Sequence, residues 1–212
     1  MRAVDLSHRI TPEMPVYPGT PQPEFSPVSS VQENGYAEQL LTMSSHTGTH
    51  VDLPAHLFSG GKTLDGFGLA DFCGRGVVID IPRYSGGGAS RSDLLCYSDR
   101  MKGADFVLLR SGWDRYWGTE RYFHGYPVLQ PDTAAWLASF GIRGIGADTV
   151  SFDPPSSMQY DVHRILLQKE IVLIENLTNL HLLPEAGFRF FCLPLNIPGA
   201  EACPVRAIAL LG

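Results

Sequence analysis

The most informative segment of the 212-residue chain reads His46-Thr47-Gly48-Thr49-His50-Val51-Asp52-Leu53-Pro54-Ala55-His56. It holds three of the chain's seven histidines together with one carboxylate. Its β-branched residues, its glycine and its proline make a helix unfavourable. We therefore expect an extended segment, in which alternate side chains project to the same face.

In an extended segment, the three histidines and the aspartate share one face because their positions have the same parity. Imidazole nitrogens and a carboxylate form a donor set that suits Zn²⁺, Mn²⁺ or Fe²⁺, and Gly48 lets the backbone approach an ion closely. The alternative is that these histidines are ordinary polar loop residues, hydrogen-bonded to the backbone. Because they are clustered with a carboxylate, we favour a metal site.

A second candidate lies downstream, where Glu175 ends a run that is otherwise apolar, Ile171–Glu175. A carboxylate in such a strand must be paired, protonated or bound to a metal to offset its desolvation. His163, near the start of an amphipathic helix, could meet it in space. The alternative is a strand-end Glu175 and a surface His163. The first cluster favours the metal interpretation, whereas His8 and His124 are interpreted as ordinary polar residues.

The remaining pattern predicts an α/β fold with a mixed sheet. Short apolar runs predict strands at residues 37–43, 76–81, 106–110, 144–148, 170–175 and 204–211. Capping residues and periodicity predict helices at residues 90–101, 131–141 and 162–167. The proline-rich residues 11–19 predict a stiff loop.

Length and charge limit the possible classes of protein. A chain of this length without a polar linker or internal repeat predicts one domain, residues 1–212. Sixteen Lys and Arg against 22 Asp and Glu give a net charge of −6, without a basic block for nucleic acid or an anionic membrane. No apolar run approaches the ~20 residues that span a bilayer, and no secretory signal is evident. We expect a cytoplasmic protein that acts on a small molecule.

Several common catalytic templates are absent from the sequence. The four cysteines are scattered, without a Cys-x-x-Cys pair, which predicts reduced, buried thiols rather than metal ligands. There is no Gly-x-Ser-x-Gly elbow and no Walker-type loop, and Gly144-Ile145-Gly146 lacks the third glycine of a dinucleotide fingerprint. The aromatic residues between Trp113 and Tyr122 either line a pocket or simply pack.

The segment from His46 to His56 resembles the signature of the metal-dependent cyclase-family hydrolases, which include bacterial kynurenine formamidase and isatin hydrolase. Weaker similarity extends over nearly the whole chain, at residues 15–19 and 111–113, around His163 and Glu175, and at residues 193–207. The resemblance implies a swivelling β/β/α domain with a mixed central sheet. It also implies a homodimer or homotetramer.

The resemblance further implies a site for one or two divalent ions, Zn or Mn. His56 would be the catalytic acid and base, and Tyr17 and Trp113 are expected to line the substrate pocket. The implied ligands are His46, His50 and Asp52 for the first ion, and His163 and Glu175 for the second, with Asp52 as the bridge.

These roles predict hydrolysis of a non-peptide C–N bond in an aryl formamide or cyclic amide. A metal lowers the pKa of bound water from 15.7 to about 7 and so makes hydroxide available, while His56 would shuttle the proton, which typically contributes 10²–10⁴-fold. Tyr17 and Thr20 stand where tryptophan and an acidic residue are common in the formamidase branch, so the substrate stays open. The alternatives are a lactone or ester hydrolase, or a non-catalytic protein of the same fold that binds a metal or a small carboxylate.

Overall fold

The computed structural model describes residues 1–82 and 88–212 and confirms a mixed α/β fold. The strands are β1 (Arg2–Asp5), β2 (Glu24–Ser29), β3 (Glu38–Thr42), β4 (His50–Asp52), β5 (Cys73–Asp80), β6 (Phe106–Arg110), β7 (Gly144–Ala147), β8 (Val172–Glu175), β9 (Phe188–Pro194) and β10 (Ala202–Leu211). The helices are α1 (Val31–Asn34), α2 (Arg91–Leu94), α3 (Ser98–Met101), α4 (Pro131–Ala138) and α5 (Asp161–Leu167).

The central sheet is mixed and closes on itself. Its strand order is β1-β10-β4-β8-β7-β6-β5-β9, and β9 pairs with β10 as well as with β5, which gives a barrel-like arrangement. Strands β5 to β8 run parallel because a helical crossover follows each of the first three, whereas the other pairs are antiparallel. Strands β2 and β3 form a separate hairpin.

Two apolar layers cover the two faces of the parallel strands. On β6, Phe106 and Leu108 pack into the barrel interior, while Val107 and Leu109 pack beneath the helices. Leu137 of α4 belongs to the layer beneath the helices. Burial on both faces explains why these strands read as continuous apolar runs rather than as alternating patterns.

The helix predicted at residues 90–101 is wrong in one respect, because it is interrupted. A 3₁₀ turn at Leu95–Tyr97 separates α2 from α3. The Ser98 hydroxyl donates to the Leu95 carbonyl at 2.6 Å, and such local side-chain bonds compete with regular helix geometry. Strands β1, β2 and β9 were not predicted.

The described helices are all short, and α4, the longest, has eight residues. None of them is therefore long and apolar enough to cross a bilayer. The cysteines are free, as expected, but the prediction that all four are buried is wrong because Cys96 is exposed.

Candidate metal centre

Strands β4 and β8 place the first functional side chains. They pair antiparallel, with His50 directly opposite Glu175. Because strand residues alternate between faces, His50 and Asp52 project to one side while Val51 packs into the barrel core. Residues directly opposite on antiparallel strands project to the same face. Local pairing therefore brings two carboxylates and an imidazole together.

The extended conformation predicted for residues 46–56 is correct only for β4. Gly48 has a φ of +64°, which favours glycine and turns the chain before the strand. Pro54–His56 forms a 3₁₀ turn after it. These turns, rather than the alternation of side chains along one strand, bring His46 and His56 together, with ring centroids 4.4 Å apart. The ring centroids of His46 and His50 lie 5.0 Å apart.

Three donor atoms converge in a first group. The Nδ1 atom of His46 lies 2.9 Å from Asp52 Oδ1, and the Nε2 atom of His50 lies 3.2 Å from the same oxygen. His50 and Asp52 are fully buried, whereas His46 is partly exposed. One donor atom from each side chain falls within 4.8 Å of the others, which a single cation can bridge.

A second group of three shares Asp52 with the first. His163 Nε2 lies 3.1 Å from Glu175 Oε1 and 3.7 Å from Asp52 Oδ2. His163 stands on the first turn of α5, and all three side chains are buried. The two oxygens of Asp52 thus face different histidines, which is the arrangement that a carboxylate between two cations requires.

Hydrogen bonds at the Nδ1 atoms of His163 and His50 determine that their Nε2 atoms face the candidate metal centre. His163 Nδ1 lies 2.6 Å from Asp153 Oδ2, and His50 Nδ1 lies 2.9 Å from the Gly48 carbonyl. Because a carboxylate and a carbonyl can only accept, both Nδ1 atoms carry the proton, and the Nε2 atoms are directed at carboxylates.

Unpartnered buried atoms show that this donor set fits a cation. His50 Nε2 and Asp52 Oδ1 are buried and have no hydrogen-bond partner among the described residues. They are 3.2 Å apart, but their geometry is not that of a hydrogen bond. With His50 neutral, its Nε2 lone pair would face a carboxylate, which is unfavourable unless a positive charge, from a proton or a metal ion, lies between them. Mixed imidazole and carboxylate donors suit a divalent ion such as Zn²⁺ or Mn²⁺.

The pKa shifts show that the cluster favours positive charge. Burial alone lowers the pKa of His50, but the Asp52 and Glu175 carboxylates raise it to about 9. Burial also opposes protonation of His163, but bonds to Asp153, Asp52 and Glu175 hold its pKa well above the usual value. The pKa of Glu175 is raised by burial and by the Asp52 charge. Two adjacent buried carboxylates therefore need a compensating cation.

His56 stands beside both groups. Its ring centroid is 6.4 Å from that of His163, and its side chain lines the same cavity as the metal-site residues. Burial lowers its pKa, so the neutral imidazole predominates at neutral pH. It is therefore placed to exchange protons with a molecule in the cavity.

The cavity has a volume of about 330 Å³. Tyr17, at 43% exposure, lies on its wall. Trp113 is not among the lining residues: it is buried behind the wall, where its indole N–H donates to the Tyr122 carbonyl at 3.0 Å. Trp117 and Tyr122 line the cavity in its place.

Three further residues hold the candidate ligands, and the sequence analysis missed them. Asp153 accepts from the His163 ring and from two backbone N–H groups at the start of α5. The Asn176 amide donates to the Gly48 carbonyl at 2.9 Å, and Glu201 lies 3.4 Å from His46 Nε2. Asn176 has a φ of +57°, so an asparagine at a strand end was an available signal. Nothing local marks Asp153 or Glu201.

Comparisons with known proteins identify the family of this chain. A family model described as "Putative cyclase" matches residues 4–154. The kynurenine formamidase of Bordetella avium (strain 197N) is 32% identical over 211 residues, which cover 98% of this chain and 97% of that protein.

Solved structures extend the likeness to the fold. Isatin hydrolase A from Labrenzia aggregata, bound to benzyl benzoate, superposes with a TM-score of 0.89 at 26% identity and covers 99% of this chain and 93% of that one. A structure described as a potential metal-dependent hydrolase with cyclase activity gives 0.79 at 28% identity, over 98% of this chain and 96% of that one. A shared sequence model, a shared fold and the His46–His56 segment thus lead to one conclusion: this chain belongs to the cyclase family.

Proposed function

We propose that the protein is a metal-dependent hydrolase that cleaves the C–N bond of an aryl formamide or a cyclic amide. The observation that carries this proposal is the pair of donor groups that share Asp52 at the base of a cavity. The relatives named kynurenine formamidase and isatin hydrolase support the two amide classes. N-formylkynurenine and isatin are therefore the first substrates to test.

The proposed ligands are those expected from the resemblance. His46, His50 and Asp52 would hold one ion, and His163 and Glu175 the other, with Asp52 between them. When bound, a divalent ion lowers the pKa of water towards neutrality and polarises a carbonyl oxygen. The donor set does not select between zinc and manganese, so we keep both as candidates.

His56 would move the proton. From the cavity wall, its imidazole can accept a proton from the attacking water and return it to the leaving nitrogen. The hydrogen bonds that the His50 and His163 rings make through Nδ1 keep both Nε2 atoms directed at the candidate metal centre.

The test combines metal analysis with turnover. Purified protein is assayed for bound metal, and loss of N-formylkynurenine and of isatin is followed by absorbance with and without chelator. We expect chelation to abolish hydrolysis and zinc or manganese to restore it. A metal-loaded protein that hydrolyses neither substrate would contradict the proposal.

Two histidine variants separate binding from catalysis. His56→Ala should retain metal but lose about 10²–10⁴-fold in kcat, whereas His50→Ala should lose both. His124→Ala, at an exposed position, is the matched control and should change neither. Equal metal loss in the His56 and His50 variants would refute the assigned roles.

We also propose a homodimer or homotetramer. Leu40 and Leu41 of β3 are more than half exposed, and Met43, Leu195 and Ile197 line one surface groove. Exposed apolar surface of this kind is typical of subunit interfaces. Light scattering after gel filtration would test it, with a monomer as the contrary result. The single domain and the cytoplasmic location remain predictions from sequence.

A further inference from the structure

The cavity above the candidate ligands has mainly apolar walls. Away from the metal-site residues it is formed by Val16, Leu57, Trp117, Phe123 and Val150. Such walls stabilise a buried aromatic ring through the hydrophobic effect and ring packing. The volume of about 330 Å³ accommodates a substituted benzene ring and its amide.

Away from the candidate metal centre, the lining of this cavity offers no positive counter-charge to a substrate. Within residues 1–82 and 88–212, its lining includes no lysine and no arginine. The ionisable groups besides the metal-site residues and His56 are the phenols of Tyr17, Tyr122 and Tyr160. The remaining polar side chains of the lining are all neutral: Thr20, Ser44, Ser151 and Asn176.

Three basic residues lie close in sequence to residues of the cavity lining, but their charged groups contact other parts of the protein. The Arg121 guanidinium lies 4.1 Å from the ring centroid of Tyr116. Arg164 donates to the Gln159 carbonyl at 2.8 Å, and the ammonium of Lys62 lies 2.9 Å from Glu170. None of these three residues is part of the lining described above.

The aromatic wall is braced by another uncharged ring. His8 stacks on Trp117 with a centroid distance of 3.8 Å and an interplanar angle of 4°. Burial lowers the pKa of His8 to about 4, which keeps this imidazole neutral at physiological pH. The ring that supports the wall therefore supplies no cation either.

From this lining, and resting on the proposed function, we propose that the substrate is an uncharged aromatic amide, and that the site discriminates against amides with an amino acid zwitterion. A carboxylate that leaves water without a cationic partner is strongly disfavoured. The ring of a neutral amide, in contrast, gains from contact with Trp117 and Phe123.

A matched pair of substrates tests this discrimination. N-formylkynurenine and ortho-formamidoacetophenone contain the same aryl formamide, but the second has a methyl group in place of the amino acid portion. With the metal-loaded full chain, we expect kcat/KM to be at least about tenfold higher for the neutral compound. An equal or higher value for N-formylkynurenine would overturn the inference while leaving the hydrolase proposal intact.

An introduced cation should weaken the preference for the neutral substrate. Thr20 lines the cavity and is none of the proposed ligands or proton carriers. Thr20→Arg should raise the kcat/KM ratio of charged to neutral substrate by about tenfold, because a guanidinium pairs with a carboxylate. Thr20→Met, of similar reach but uncharged, should not. An unchanged ratio in the arginine variant would count against the inference.

Binding of the products separates the two proposals. Calorimetry on the metal-loaded protein compares kynurenine with ortho-aminoacetophenone, and neither requires turnover. Tighter binding of ortho-aminoacetophenone supports the inference. If the protein binds this compound more tightly but hydrolyses no amide, the hydrolase proposal is refuted while the preference for neutral ligands stands. Tighter binding of kynurenine overturns the inference.

Discussion

Single residues outside the ligand set hold the histidines in position. Asp153 fixes the tautomer of His163 through its Nδ1 proton, and it also accepts from the first backbone N–H groups of α5. Hydrogen bonds from His163 and from the helix backbone overcome the effect of burial and keep the pKa of Asp153 below its usual value. One carboxylate therefore anchors both the helix and the ligand that the helix carries.

Asp153→Asn should weaken metal binding by about 10–100-fold, because the charge that orients His163 is lost while the asparagine still caps the helix. Competition with a chromophoric chelator measures the change in affinity. Asp161→Asn, at an exposed position on the same helix, is the matched control and should bind metal normally. An unchanged affinity in the Asp153 variant would exclude the positioning role.

His8 should make folding sensitive to acid. Its pKa is lowered by burial to about 4, against 6.5 in the unfolded chain, so the unfolded state takes up the proton first. Stability should therefore fall as pH drops from 6.5 towards 4, by up to roughly 3 kcal/mol. His8→Phe, which keeps the stack on Trp117, should lose less stability than the native chain between pH 7 and pH 4.5 in urea denaturation.

The corresponding control for acid sensitivity is His124→Phe, since His124 is exposed. This variant should follow the native pH dependence. If His8→Phe also followed it, the buried imidazole would not be the acid-sensitive group.

At the scale of elements, close approach between strands sets the shape of the barrel. Gly76 of β5 pairs with Phe188 of β9 and with Phe106 of β6. A Cβ at position 76 would lie 2.2 Å from Phe188 Cε2, and that ring is buried in the barrel interior. The glycine is therefore required because the Phe188 ring occupies the space of its side chain.

Gly76→Ala should lower the free energy of unfolding by about 1–3 kcal/mol through overpacking. Urea denaturation measures it. Gly68→Ala is a suitable control because its Cβ would meet only an ordinary contact at 3.7 Å, with a negative φ. Equal stability of the two variants would show that Phe188 moves aside without cost.

For the whole molecule, barrel closure joins distant parts of the chain at the candidate metal centre. Strand β10 pairs with β1, β4 and β9, and its Pro204 lies opposite His50. The fold thus holds Asp52 and Glu175 together in a buried place, where burial and the Asp52 charge raise the pKa of Glu175. A bound cation relieves that repulsion and should stabilise the native state.

Metal should therefore raise the melting temperature. At a concentration of 100 times Kd, a ligand that binds only the native state adds about 2.7 kcal/mol, which corresponds to roughly 5–10 °C for a chain of this size. Thermal denaturation with chelator and with added zinc or manganese measures the shift. His50→Ala should show a much smaller one, and a native chain that melts equally with and without metal would contradict the proposal.

Local chemistry could be interpreted before any fold was known. The clustering of His46, His50, Asp52 and His56 predicted a metal site, and the apolar runs predicted the parallel strands, because both signals lie within a few neighbouring residues. The carboxylate of Glu175 was conspicuous because it ended an apolar run. Strands such as β1 and β9 were missed because their pairing with β10 depends on residues far away in the chain.

The tertiary structure alone decided which atoms face one another. The turn at Gly48 and the 3₁₀ turn at Pro54–His56, rather than a continuous strand, bring His46 and His56 to the candidate metal centre. Asp153 contacts the His163 ring, 10 positions away, and Glu201 contacts the His46 ring, 155 positions away. Trp113 is buried outside the cavity lining, where its indole N–H donates to the Tyr122 carbonyl. Such contacts depend on how loops are placed by the packed barrel, which no local pattern of residues encodes.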